Sequence, residues 1–266
     1  MLFSLAIIPS IVLMVFIYKL DKKEKEPKKF LWKLFLLGVV LVIPAYIIET
    51  MLEAIIAAVL IPGSIVYALF EGFLIAAGTE ELGKYFLLKR ASWISKYFDC
   101  MFDGIVYAVF VSLGFATIEN VLYVFEDGIA VAIMRMFTSV PGHMCFAIVM
   151  GHFYSKARLA INRGDLVSCR RYKRLACLVP ILLHGFYDFL IMMDSDTVGD
   201  GITTLAFLIW VVFVIALFVK VFMLVFAASK NDEYIVRHEK GWNCICGRIC
   251  FGNYCANCGT KKLAEL

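Results

Sequence analysis

Residues 202–226 read ITTLAFLIWVVFVIALFVKVFMLVF, with Lys220 as the one charged side chain. A helix rising 1.5 Å per residue needs about 20 apolar residues to cross a hydrocarbon core about 30 Å thick. This run supplies them without the period-two alternation of a barrel strand. Working back toward the N-terminus, six further stretches have the same character: 2–18, 30–60, 70–88, 104–125, 136–154 and 175–193. The expected fold is therefore all-α, a polytopic transmembrane bundle of about seven spans that fills residues 1–229. Pro44 is placed to kink the second stretch, whose residues 54–60 are expected at the interface. Composition agrees, with 62% hydrophobic and 18% charged residues, against about 45–50% and about 25% in soluble domains. An ordinary soluble globule and a disordered chain are both excluded.

Basic residues set the expected orientation. With the N-terminus outside, the cytoplasmic segments are 19–33, 84–103, 156–174 and everything from Lys220 on, and they hold 25 of the 26 Lys and Arg residues. Arg135 is the exception, expected to cap the outer end of its helix or to meet lipid phosphate. The first stretch lacks a basic n-region and reads as a retained helix rather than a cleaved leader. The net charge of +4 then describes a basic inner face that attracts anionic lipid, and no nucleic-acid partner is expected. Cys100, Cys169 and Cys177 fall at or near that reducing side, so no disulfide framework is expected.

Several spans carry polar groups at depths where an ionisable side chain costs at least about 2.5–3.5 kcal/mol. The third contains Glu80 and Glu81, with Lys84 at i+4 and i+3 from them. The fourth contains Glu119 and Asn120, the fifth His143, and the sixth His184 with Asp188 one turn on. Their depths predict one hydrated cavity opening toward the outer face. Pro141 and Pro180 precede the histidines and predict irregular backbone there. Gly72, Ala76, Gly83 and Gly151 permit close helix approach. Such a set suits peptide hydrolysis, which needs a base for water and charge to stabilise an oxyanion. Two histidines and a carboxylate, here Glu119, His143 and His184, could instead hold a catalytic zinc or another divalent metal. A proton or cation relay uses the same residue types, so an ion-coupled transporter is a rival reading, and a non-catalytic membrane scaffold a third.

The motifs Glu80-Glu81-x-x-Lys84, Phe115-x-x-x-Glu119-Asn120, His143 with Gly151, and His184-x-x-x-Asp188 follow one another on consecutive spans. In that order the chain resembles the PrsW family of intramembrane proteases, distantly related to the CAAX prenyl endopeptidase and bacteriocin-processing superfamily. The resemblance implies an endopeptidase acting on a membrane-anchored protein, as on an anti-sigma factor cut on the extracytoplasmic side. It implies that Glu80 is the water-activating base and Glu81 its partner carboxylate. His143 and His184 become metal ligands or oxyanion stabilisers beside Glu119, with Asn120 and Asp188 in hydrogen-bonding support and Lys84 supporting the pair. The prenyl endopeptidases carry histidine where Glu119 stands and arginine one residue beyond Lys84.

The tail differs. Cys244-Ile245-Cys246-Gly247 and Cys255-Ala256-Asn257-Cys258-Gly259 place four thiols at the spacing of a closed structural zinc site. Residues 240–262 are too few to bury a core, so metal binding would supply the folding free energy. They resemble a small zinc ribbon with Cys244, Cys246, Cys255 and Cys258 as ligands and Cys250 as the spare. A cytosolic protein partner could dock there. His238, in the preceding linker, is expected to be solvated.

Overall fold

A computed structural model describes residues 2–235 and 241–262. His238 and Lys240 lie outside the described residues. The elements are α1 (Leu2–Leu20), α2 (Lys28–Ala57), α3 (Ile65–Phe70), a π-helical segment (Glu71–Ala76), α4 (Ala77–Ser92), α5 (Asp103–Phe137), α6 (Ser139–Asn162), α7 (Leu166–Ile191), α8 (Ser195–Val198) and α9 (Asp200–Lys230), then the antiparallel pair β1 (Trp242–Asn243) and β2 (Ile249–Cys250). By length and composition, five helical stretches can cross a membrane: Lys28–Ala57, Asp103–Glu126, Gly128–Asn162, Leu166–Ile191 and Asp200–Lys230. The other two expected spans differ. The apolar helix Ala6–Leu20 is shorter, and the third span is divided between α3, the π segment and α4.

α5 is the central rod. It packs on α1, α2 and α6, and α6 packs in turn on α7. Its first half is buried on all sides, from Ile105 through Ala116, whereas α2 and α9 turn large apolar side chains such as Ile43, Tyr46, Val212 and Met223 outward. An outer face of that kind suits lipid. The α5–α6 contact depends on Gly151, where a Cβ would come within 2.5 Å of Ile105 Cα and 2.7 Å of the Gly104 carbonyl carbon. Ser112 Oγ donates to the His143 carbonyl at 3.0 Å one level further along.

One backbone expectation is corrected. Pro141 does not disturb α6, because it sits in the first turn, where its missing N–H would have had no partner anyway. α2 runs through Pro44 to Ala57 as one helix. The irregular backbone lies instead at Glu71–Ala76. There Gly72 meets α7 so closely that a Cβ would stand 2.7 Å from Phe189 N and 2.9 Å from Gly185 O. π segments recur at functional sites, and this one delivers Glu80 one turn later.

The basic end of the bundle is tied together by chain segments remote in sequence. Asp232 Oδ1 accepts from Phe102 N at 2.9 Å, Ile235 N donates to Asp99 O at 2.6 Å and Met101 N to Glu233 O at 3.0 Å. The cysteine-rich tail packs on this end. Trp93 Nε1 donates to Ala256 O at 2.8 Å, and Asn253 N donates to Asn162 Oδ1 at 2.9 Å. All nine cysteines are free of disulfides.

Candidate active site

α4 sets the first groups. Its helical spacing lets Lys84 Nζ reach Glu80 Oε2 at 2.8 Å and Glu81 Oε1 at 2.7 Å. The Lys84 ammonium is 1% exposed and rests on the Phe115 ring at 4.4 Å. It also reaches His143 Nδ1 at 3.2 Å. An ammonium has only donors, so Nδ1 accepts and the proton of His143 sits on Nε2. Nε2 in turn lies 2.7 Å from Glu119 Oε2.

The second histidine is held differently. His184 Nδ1 is 3.1 Å from Glu81 Oε1, and its Nε2 is 3.1 Å from Asp188 Oδ2. With a carboxylate at each end, both nitrogens donate. The ring stacks on Phe146 at 4.8 Å and meets His143 edge-on at 5.2 Å between centroids. Glu80 and His184 thus face the same space rather than opposite sides of the bundle.

That space is a cavity of about 620 Å³ lined by Glu80, Glu119, Arg135, His143, His184 and Asp188. Glu49, Glu53, Glu71 and Glu126 line it too. They come from the ends of their elements away from the basic loops, so the cavity opens at the end where the sequence places the outer face. Glu81 and Asn120 are fully buried and do not line it. Asn120 Nδ2 donates to Ala6 O at 2.9 Å, and its Oδ1 accepts from Arg135 Nε at 3.1 Å. Both halves of that amide are occupied, which makes Asn120 a positioning group rather than a carbonyl-polarising one.

Arg135 is the residue that sequence reasoning misplaced. It does not cap an outer helix end for lipid. The chain turns at Gly128, whose φ of +82° breaks α5, and the following segment brings the guanidinium to 3.1 Å from Glu119 Oε1. The Tyr123 ring covers it at 4.0 Å. Its Nη2 is buried and makes no hydrogen bond of good geometry. Its isolation from every other basic residue in the chain was the available signal. Glu49, which also lines the cavity, was not among the candidates drawn from the sequence.

Four side chains, Glu80, Glu81, His143 and His184, each offer a ligand atom within 4.8 Å of the others. Glu119, expected beside His143 and His184, is not in that group, although its Oε2 lies 2.7 Å from His143 Nε2. Two carboxylates and two imidazoles are donors of the zinc type. However, three of the four already point at Lys84 Nζ, and the remaining His184 nitrogens face carboxylates. A resident ammonium holds the position that a divalent ion would take, so the arrangement does not fit a metal.

In the tail, Cys244, Cys246, Cys255 and Cys258 converge within 4.8 Å, with sulfur separations of 3.4 Å for Cys244–Cys258 and 3.7 Å for Cys246–Cys255. Cys250 is not among them. Gly247 and Gly259, each following a cysteine pair, take φ of +78° and +76°, a region that disfavours a Cβ. The Thr260 hydroxyl and N–H bring the Cys258 thiol down to about 6, toward the thiolate a metal needs. These four fit a structural metal site.

Residues 26–219 match the family described as PrsW family intramembrane metalloprotease. The chain belongs to the PrsW family. Protease PrsW of Geobacillus kaustophilus is 38% identical over 191 residues, covering 72% of this chain and 80% of that protein. Protease PrsW of Clostridioides difficile is 37% identical, covering 73% and 80%, and that of Bacillus subtilis 34% identical, covering 78% and 90%. No solved structure matches. As a PrsW family member the chain is a multi-pass membrane protease, with a membrane-protein substrate and the bilayer as its surroundings. The cysteine-rich tail lies beyond the family match.

Proposed function

We propose that this protein cleaves a membrane-anchored protein, of the anti-sigma-factor kind, on the extracytoplasmic side, by water that Glu80 activates. The reading places seven crossings in the bilayer, with the N-terminus outside and the basic end and tail in the cytoplasm. The observation that carries it is the position of Glu80. It is the one member of the diglutamate pair that lines the cavity, while Lys84 fixes its Oε2.

The steps follow from the groups around it. A water held by Glu80 attacks the scissile carbonyl, and Glu80 takes its proton. Charge then grows on the carbonyl oxygen. Arg135 and His184 line the same cavity, and their positive charge stabilises that oxygen. When the C–N bond breaks, the proton on Glu80 passes to the leaving amine and the carboxylate is restored. Glu81 and Asp188 hold His184, and Glu119 holds His143 and Arg135. No step is routed through a metal, because Lys84 already supplies the positive charge. The tail is read as a module of residues 240–262 in which four cysteines hold structural zinc, and its face away from the bundle is free for a cytosolic partner.

The test is purified protein in detergent with a single-span substrate. The proposal expects cleavage that disappears in Glu80→Ala and in His184→Ala, both still folded. Ion flux in vesicles without cleavage would refute it.

A further inference from the structure

The cysteine-rich tail sits on a cationic seat. Arg158, near the end of α6, is 4% exposed, and its guanidinium lies 5.8 Å from the Trp93 ring and 5.7 Å from the Phe98 ring. Its Nε is buried without a hydrogen-bond partner, and among the described residues no carboxylate forms an ion pair with it. Lys173 Nζ stands 3.9 Å from the same Trp93 ring, so one indole carries two cations. The tail covers them. Arg158 lines a small crevice together with Cys250, Cys255, Ala256 and Asn257, and the Cys250 and Cys255 sulfurs are electrostatic neighbours of its guanidinium. Trp93 Nε1 and Asn162 Oδ1 bond to the tail backbone at Ala256 and Asn253. Gly164 is so close to the tail that a Cβ would stand 2.6 Å from Tyr254 Cζ.

A buried guanidinium without a counter-charge is costly, so this seat calls for an anionic occupant. The tail has no carboxylate to offer: residues 241–262 include Arg248, Lys261 and Lys262 and no Asp or Glu. Its sulfurs can supply the charge. A divalent ion on four thiolates leaves a net negative centre, and the four converging sulfurs include that of Cys255, beside Arg158. We propose that Arg158 is the counter-charge for the metal–tetrathiolate centre of the tail, so that metal loading latches the tail onto the ends of α4 and α6 at the basic end of the bundle. Hydrogen bonds and ring contacts would hold a folded tail of any charge; Arg158 makes the hold depend on the metal. The inference rests on the reading of the tail as a metal site and is independent of the protease reading. The latch joins the two helices whose Lys84 and His143 side chains meet at 3.2 Å, and it fixes α4 against α6 from their other ends.

The test is a Co2+ titration of the full chain in detergent, read by the sulfur-to-cobalt charge-transfer band that thiolate ligands give, with hydrogen exchange of the loaded protein followed by mass spectrometry. Wild type is expected to take up one equivalent. Arg158→Met should bind Co2+ more weakly by about tenfold or more, within the usual range for coupled sites. At saturating Co2+ it should expose the Asn253 amide, which bonds across to Asn162. The Cys244 and Cys255 amides, bonded within the tail to Arg248 O and Thr260 O, should stay protected. Arg158→Lys keeps the charge and should stay within a few-fold of wild type. Should Arg158→Met fail to fold, Arg158→Gln, neutral and polar, decides in its place. Equal affinity in the neutral variant and wild type would overturn the proposal, and so would a loss in Arg158→Lys as large as in the neutral variant, which would make Arg158 a packing group. No charge-transfer band in wild type would remove the metal site itself and the latch with it, an outcome distinct from a band that ignores Arg158.

Discussion

Arg135 Nη2 stands 3.1 Å from Glu119 Oε1, and Gly128 is the residue that lets the chain turn back to make that pair. The same guanidinium gives Nε to Asn120 at 3.1 Å, so two different atoms of one planar group are fixed. Glu119 then passes that order to His143 through Nε2.

Replacing Arg135 with Gln should therefore lower kcat/KM by about 10²–10³-fold, comparable with the loss of an oxyanion-stabilising group. Arg135→Lys should not restore it, because a lysine cannot hold two acceptors in fork geometry. Cleavage assays on both variants, with melting curves to show that each still folds, check this. Full activity in Arg135→Gln would remove Arg135 from the site.

Lys84 is the shared partner of Glu80 and Glu81, and all three are buried. Lys84→Met should leave two carboxylates without their cation and cost about 3–5 kcal/mol of stability. Adding Glu81→Gln should recover part of that loss, since one buried charge is then removed. Thermal melting of the single and double variants in detergent measures the recovery. Equal melting of Lys84→Met and wild type would contradict the pairing.

Gly151 allows α5 and α6 to touch at the backbone. Gly151→Ala should force the helices apart and cost about 1–3 kcal/mol, as overpacking does. A melting temperature equal to that of wild type would show that the two helices yield more easily than the contact implies.

The tail's four sulfurs should hold one zinc. Chelation, or Cys244→Ser with Cys258→Ser, should lower the melting temperature and expose the tail to protease. Trp93→Ala should release the tail from the bundle, through loss of the bond to Ala256 O, with zinc content unchanged. Metal analysis beside limited proteolysis separates these effects. A tail that stays protected after zinc removal would contradict the metal-dependent fold.

The membrane architecture was legible because long apolar runs and basic loops are one-dimensional signals. The site's members were also legible, since Glu80, Glu119, His143 and His184 are expensive at their depth and stand out from an apolar background. Their pairing was not. The sequence does not reveal that Lys84 bonds to His143 as well as to its own helix neighbours, because that bond crosses between α4 and α6. Arg135 was missed because its role depends on the turn at Gly128. The proline-based forecast of broken backbone failed for a related reason. Pro141 sits where a helix tolerates it, whereas the π segment lies where Gly72 packs closely on α7, a tertiary contact.

Cleavage of a single-span substrate after metal removal puts the central claim to the test most directly. The measurement is product formation by mass spectrometry, using wild type and Glu80→Gln, each with and without a strong chelator. The tail double variant Cys244→Ser/Cys258→Ser is included, so that loss of tail zinc is accounted for. The account predicts that chelated wild type still cleaves at a rate within a few-fold of the tail variant. It predicts that Glu80→Gln falls by about 10²–10⁴-fold under every condition. Cleavage that stops in the chelated tail variant and returns with added zinc would contradict it.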